Sequence, residues 1–221
     1  MKLHIGLFAA LLLGSSMLGA CGVGGDHQIN GAVSIAGGTE TGEVSTVNGS
    51  VAIGAKARVA GVRSVNGGLS LGEDARASSM KTVNGPIDLA ARAEVSGDIE
   101  SVNGALSLAP GSKVGGALIN VNGAISVDGA QVGGGLRTVN ASIKLVNGAH
   151  LDGGILMKKA NGAFSSEKSR PPRVVIGRDV TVNGTLKFER EVRLYVSDKA
   201  AHVGTIEGAT PISYQGDNPP E

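Results

Sequence analysis

Val83-Asn84-Gly85-Pro86-Ile87-Asp88-Leu89 is answered one period later by Val102-Asn103-Gly104-Ala105-Leu106-Ser107-Leu108, and then by Val121-Asn122-Gly123-Ala124-Ile125-Ser126-Val127. Working outward, a periodic series of Asn followed by Gly, or once by Ala, runs through Asn30, Asn48, Asn66, Asn84, Asn103, Asn122, Asn140, Asn161 and Asn183. The separations are 18, 18, 18, 19, 19, 18, 21 and 22 residues. Self-similarity at a fixed period governs the fold before local propensity does. After each Asn the aliphatic residues fall on alternate positions, as in Val51 and Ile53, Leu69 and Leu71, and Ile143 and Leu145. That is the period of a strand, not a helix.

Each unit holds two more extended stretches. One reads small-x-apolar-x-Gly: Ala57, Val59, Gly61; Ala93, Val95, Gly97; Ser112, Val114, Gly116; Ala130, Val132, Gly134. The other, Ile99-Glu100-Ser101 or Leu136-Arg137-Thr138, leads into the next Val-Asn-Gly. Asn-Gly is also a strong hairpin signal, so an antiparallel meander is one architecture to weigh. A meander, however, gives no reason for one residue type to recur at every second turn. In a parallel β-solenoid equivalent residues stack about 4.8 Å apart, and their Asn side chains can form amide ladders. Three stretches per unit match a three-sided rung. The expectation is an all-β, single-stranded parallel β-helix of eight or nine rungs of 18–19 residues, about 40 Å long. Its regular part spans 29–163, a polar loop ending in Pro171-Pro172 spans 164–173, divergent final rungs and a cap span 174–210, and 211–221 reads as a tail. Phe188 and Tyr195 are expected cap residues, since the last rung must cover strand edges.

Composition agrees with a narrow stacked core. The 221 residues include 36 Gly but no Trp, two Tyr and three Phe, with 41% hydrophobic and 18% charged residues. This is too apolar for a disordered chain and too poor in rings for an aromatic-rich core. With 20 Lys and Arg against 19 Asp and Glu, there is no basic excess of the kind that marks nucleic-acid binders. Nucleic acid is therefore not an expected partner.

The amino terminus reads as an address. Lys2 precedes an apolar run from Ile5 to Leu13, too short for the roughly 20 residues of a spanning helix. Leu18-Gly19-Ala20-Cys21 resembles the lipobox of bacterial lipoproteins. The resemblance implies a signal peptide over 1–20, cleavage between Ala20 and Cys21, lipidation of Cys21, and a tether over 21–28. With Gly22 rather than Asp after the Cys, it also implies an outer-membrane anchor. The alternative is a cleaved secretory signal followed by a free Cys. The repeat units, with Val95-Ser96-Gly97-Asp98-Ile99 between them, resemble the adhesin-type β-solenoid domains of bacterial envelope proteins, including the auto-transporter adhesin head type. This implies a right-handed solenoid with a structural or adhesive role. Bactofilins, whose β-helical rungs polymerise end to end, are a second resemblance.

No catalytic apparatus is expected. His27, His150 and His202 lie far apart in the chain at unrelated repeat positions, so no metal or cofactor site is assigned. Ser64 and Ser101 read as ladder or turn residues. Asp98, Glu100 and Asp128 could share one face, which would be the route to a glycan-processing enzyme. Gly133-Gly134-Gly135 lacks the Lys-Ser/Thr of a phosphate loop and reads as a corner. Lys56, Arg58, Arg63, Glu73, Asp74, Arg76 and Lys81 read as a solvated face, available to an envelope protein or polysaccharide.

Overall fold

The computed structural model of the chain describes residues 26–159 and 170–216. Every element among them is a β-strand, and every strand pairing is parallel. The strands stack into three faces of a prism. The first face takes Val33–Ile35, Val51–Ile53, Leu69–Leu71, Ile87–Leu89 and Leu106–Leu108. It continues through 125–127 and 143–145 to Arg173–Ile176, Arg193–Ser197 and Pro211–Tyr214. Those are ten layers, one or two more than the repeat marks predict; nine steps of about 4.8 Å make a rod of about 43 Å. The second face holds short strands such as Arg76–Ala77, Glu94–Val95 and Gln131–Val132. The third runs from Asp26–Asn30 through Met80–Asn84, Ile99–Asn103, Leu136–Thr138 and Ile155–Met157 to Ile206–Glu207. The chain is thus a parallel β-solenoid, as its period predicts.

Alternation fixes what lies inside. On the first face Val33, Ile35, Val51, Ile53, Leu69 and Leu71 point inward, and one apolar cluster continues from Val33 to Leu194. Ala57, Ala75, Ala93, Ala130 and Ala149 are fully buried beside the second face, and the column continues upward in Val180, in register above Ala149.

Two corners explain much of the glycine. Beside the Asn column, Gly31, Gly49, Gly67, Gly85, Gly104 and Gly123 stack directly, and a Cβ on Gly49, Gly67 or Gly104 would lie 1.8–2.0 Å from the carbonyl oxygen of the glycine below. No side chain fits at those three positions; the column carries a methyl group at Ala141, in register with Gly123. At the opposite corner the backbone takes the left-handed conformation layer after layer, at Gly38, Lys56, Asp74, Arg92, Gly111, Gly129, Asn147, Gly148 and Asp179.

Several boundaries move. Asp26 opens the first layer by pairing with Val44, so the end of the expected tether is strand. Pro211–Tyr214, expected as tail, pairs with the strand below it through Leu194 to Ser197. It does so because Pro211 heads an edge strand, where a missing N–H costs least. Arg173, expected in the loop, pairs with Arg193. Asn183 does not belong to the Asn column: Val182 is in register with Leu151, which sets Asn183 over Asp152 at another corner, where its Nδ2 donates to Asp152 Oδ1 at 3.3 Å. The step from Ile143 to Val174 is 31 residues, and an insertion of that size shifts the spacing by which Asn183 is read. Asn161, Phe164, Ala20 and Cys21 lie outside the described residues.

The Val of Val-Asn-Gly is also corrected. It shares parity with the inward residues in the sequence, yet Val47, Val65, Val83 and Val102 are only half-buried and lie outside the core cluster. The inward position before the corner is polar instead: Thr46, Ser64, Thr82, Ser101, Asn120 and Thr138 are all buried. For four of the six the reason is backbone satisfaction, while Thr138 Oγ1 accepts from Ala141 N at 3.2 Å and Ser101 Oγ has no hydrogen-bond partner. Thr46 Oγ1 donates to Gly31 O at 3.2 Å, Ser64 Oγ to Gly49 O at 3.0 Å, Thr82 Oγ1 to Gly67 O at 3.1 Å and Asn120 Nδ2 to Gly104 O at 2.9 Å. Each donor answers a corner carbonyl, and a buried carbonyl left unpaired is costly.

Candidate functional site

The outer rows of the prism are the surfaces a partner can reach, and the longest regular one is the Asn column. Asn48 Nδ2 donates to Asn30 Oδ1 at 2.9 Å, and the same bond repeats upward through Asn66, Asn84, Asn103, Asn122 and Asn140 at 2.9–3.1 Å. Every amide points the same way, so the ladder has a donor end at Asn30 and an acceptor end at Asn140. Arg190 Nη1 donates to Asn140 Oδ1 and, at 3.2 Å, to Val139 O. A guanidinium therefore closes the acceptor end and fastens the loop after Leu186–Phe188 to the corner. Neighbouring amides polarise one another in such a chain.

On the first face the outward row reads Ser34, Ala52, Ser70, Asp88, Ser107, Ser126 and Lys144, short side chains that leave a flat surface. Asp88 stands between Ser70 and Ser107, and partial burial pushes its carboxyl above the usual value of 3.8. A carboxyl raised in the folded state leaves stability intact below 3.8 and removes some as pH rises past it. Asp88→Ser should accordingly raise the melting temperature at neutral pH, by no more than about 2 °C, with no gain near pH 3; a thermal melt at both pH values checks this.

Several charged side chains form ion pairs between layers. Arg63 meets Glu43 at 2.6 Å, Lys81 meets Glu100 at 2.6 Å and Arg76 meets Glu94 at 3.2 Å. Arg92 holds Asp74 at 2.8 Å and also bonds Glu73; its hydrogen bond keeps the Asp74 carboxyl below its ordinary range. Apart from the half-buried Lys81–Glu100 pair these are exposed, and each exposed pair contributes little to stability. The expected mixed-charge surface is thus present, ordered by register.

Asp98, Glu100 and Asp128 do not converge. Asp98 accepts from Ala117 N at 2.8 Å at one corner, Glu100 is paired with Lys81, and Asp128 accepts from Asn147 Nδ2 at 2.6 Å at another corner. His150 and His202, read from the chain as unrelated, occupy one outward row, since both are in register with Thr181; the long insertion between them conceals this. His27 lies on the third face, where its Nδ1 is 2.6 Å from Ser45 Oγ. Among the described residues no three His, Cys, Asp or Glu side chains cluster as a metal would need.

The cap aromatics are structural. Phe188 is 4% exposed and part of the main core. Tyr195 and Tyr214, each 5% exposed, pack with Val175 on the outer side of the last layers, with the Arg173 guanidinium 4.9 Å above the Tyr195 ring. Every aromatic side chain among the described residues is buried, so none of them offers an open ring to a base or sugar.

Comparison with protein families, with curated proteins and with solved structures returns no match. Fold and surface alone define the class: a parallel β-solenoid repeat protein with a one-directional amide ladder closed at its C-terminal end.

Proposed function

We propose that the protein is a non-enzymatic lipoprotein of the bacterial cell envelope, held to the outer membrane by acyl chains on Cys21. In this reading the prism is a structural or adhesive scaffold that presents its outer rows to another envelope protein or a polysaccharide. The observation that carries it is the unbroken register of ten layers, which repeats each surface group about every 4.8 Å along a rod with a single continuous core. Such regularity suits extended, repetitive contact. The Leu18-Gly19-Ala20-Cys21 sequence supports the anchor, and two or three acyl chains bind membranes far more firmly than one. Asp26 opens the first layer, five residues after Cys21, a span of at most about 18 Å. The rod would therefore stand with its Asn30 end near the lipid and its last layer, Pro211–Tyr214, away from it. The Asn column stops at Asn140, three layers below the last strand, Pro211–Tyr214, so copies stacked end to end would not continue it, which favours this reading over a bactofilin-like polymer.

Cys21→Ser tests the anchor. In a bacterial host with a lipoprotein pathway the parent chain should take up labelled palmitate and sediment with membranes, and the variant should lose both. Unchanged labelling and sedimentation of the variant would contradict the reading.

A further inference from the structure

The outward row of the third face changes character in its upper half. Lower down, Arg63 and Lys81 each have a carboxylate at 2.6 Å. Above them the row continues Ile119, Arg137, Leu156, Lys187 and Glu207. Among the described residues Arg137 has no side-chain partner, and Lys187 reaches Glu207 only at 4.0 Å. Two cations thus flank one half-buried leucine, two layers or about 10 Å apart at the backbone, close enough for both long side chains to meet over Leu156.

Beside them the surface is hollow. Gly134 and Gly154 leave a depression of about 180 Å³ bounded by Arg137, Leu156, Thr185 and Lys187. The glycines cannot be filled in, because a Cβ on Gly154 would lie 2.0 Å from Thr185 O and one on Gly134 2.6 Å from Gly116 C. The volume is below the roughly 300–1,000 Å³ of sites that enclose a whole ligand. It suits one ring of a longer chain. The half-buried Leu156 for a C–H face and the two cations flanking it for an anion are the complement of a sugar acid.

We propose that this depression binds a uronic-acid residue of an acidic polysaccharide. Arg137 offers a planar fork to the carboxylate, Lys187 adds a second charge-assisted bond, and Leu156 carries the ring. The proposal deepens the scaffold reading by naming what the surface holds, and it requires no acylation at Cys21, so failure of either leaves the other standing.

The test is calorimetric titration of the purified full chain in detergent micelles with oligogalacturonate and with hyaluronan oligosaccharides. At least one should bind saturably, while methyl-esterified oligogalacturonate should not. Arg137→Gln and Lys187→Gln should each weaken binding about tenfold, and Lys113→Gln, on the second face, should leave it unchanged. Saturable binding of neither acid would overturn the proposal. So would equal binding of the methyl ester, full displacement by inorganic phosphate at matched anion concentration, or equal loss in Lys113→Gln, each of which would mark the contact as charge attraction alone.

Discussion

Ile125→Asp should abolish cooperative unfolding at room temperature, or lower stability by about 4 kcal/mol or more. Ile125 is 1% exposed and lies in register between Leu106 below and Ile143 above. Removing its side chain costs roughly 2–4 kcal/mol through lost burial and a cavity. The carboxylate adds the penalty of an unpaired buried charge, with no cation in the apolar cluster to answer it. Because adjacent layers share one core, the damage should spread beyond its own layer. Ser126→Asp, one residue on and facing outward, should shift the melt by only a few degrees at most. Thermal melts followed by circular dichroism check the pair; similar melts for both variants would mean that the inward and outward assignments are wrong.

Gly104→Ala should be nearly as damaging despite adding one methyl group. The new Cβ would lie 1.8 Å from Gly85 O and 2.5 Å from Gly85 C, both backbone atoms fixed by the layer below. Relief requires the layers to separate at the corner, which strains the ladder bonds joining Asn84, Asn103 and Asn122. A loss of about 3–5 kcal/mol is expected, in the range reserved for severe local conflict. Gly38→Ala isolates the other role of glycine. A Cβ there meets nothing within 4 Å, but the residue has φ +71, so only the left-handed backbone is strained, for about 1–2 kcal/mol. Denaturant unfolding of the two variants should rank them in that order, and a milder effect at Gly104 would contradict the stacked corner.

The parts of the fold legible in the sequence are those that repeat without interruption. The spacing of Asn30 to Asn140, the alternation in Val51 and Ile53, and the small residues at Ala57 and Ala93 all read directly as layers, because a stack imposes one environment on every equivalent position. Parity through the corner was not legible. Val47 and Val51 are separated by an even number of residues, and only the turn at Gly49 places one outside and the other inside. The buried row from Thr46 to Thr138 carries a signal that could have found it: Ser or Thr precedes Val-Asn-Gly repeatedly, as at Ser64, Thr82 and Ser101. Register above Val146 was hidden by the 31-residue step to Val174, and with it the shared row of His150 and His202 and the correct corner of Asn183. The depression at Arg137 and Lys187 was hidden for the same reason, since their stacking through Leu156 depends on register across that step.

The concentration of aromatics near the C-terminus marks the divergent layers, and Phe188, Tyr195 and Tyr214 do lie there. All three are spent on packing, so the open surface among the described residues is made of aliphatic, amide and charged rows.

Whether the repetitive rod is fastened to the membrane at its Asn30 end is decided by mass spectrometry of the amino-terminal peptide from protein extracted from bacterial membranes. The expected product is a mature chain that begins at Cys21 and carries a diacylglyceryl thioether. A chain that begins at Cys21 or beyond with no lipid, or one that retains residues 1–20, would contradict the anchor.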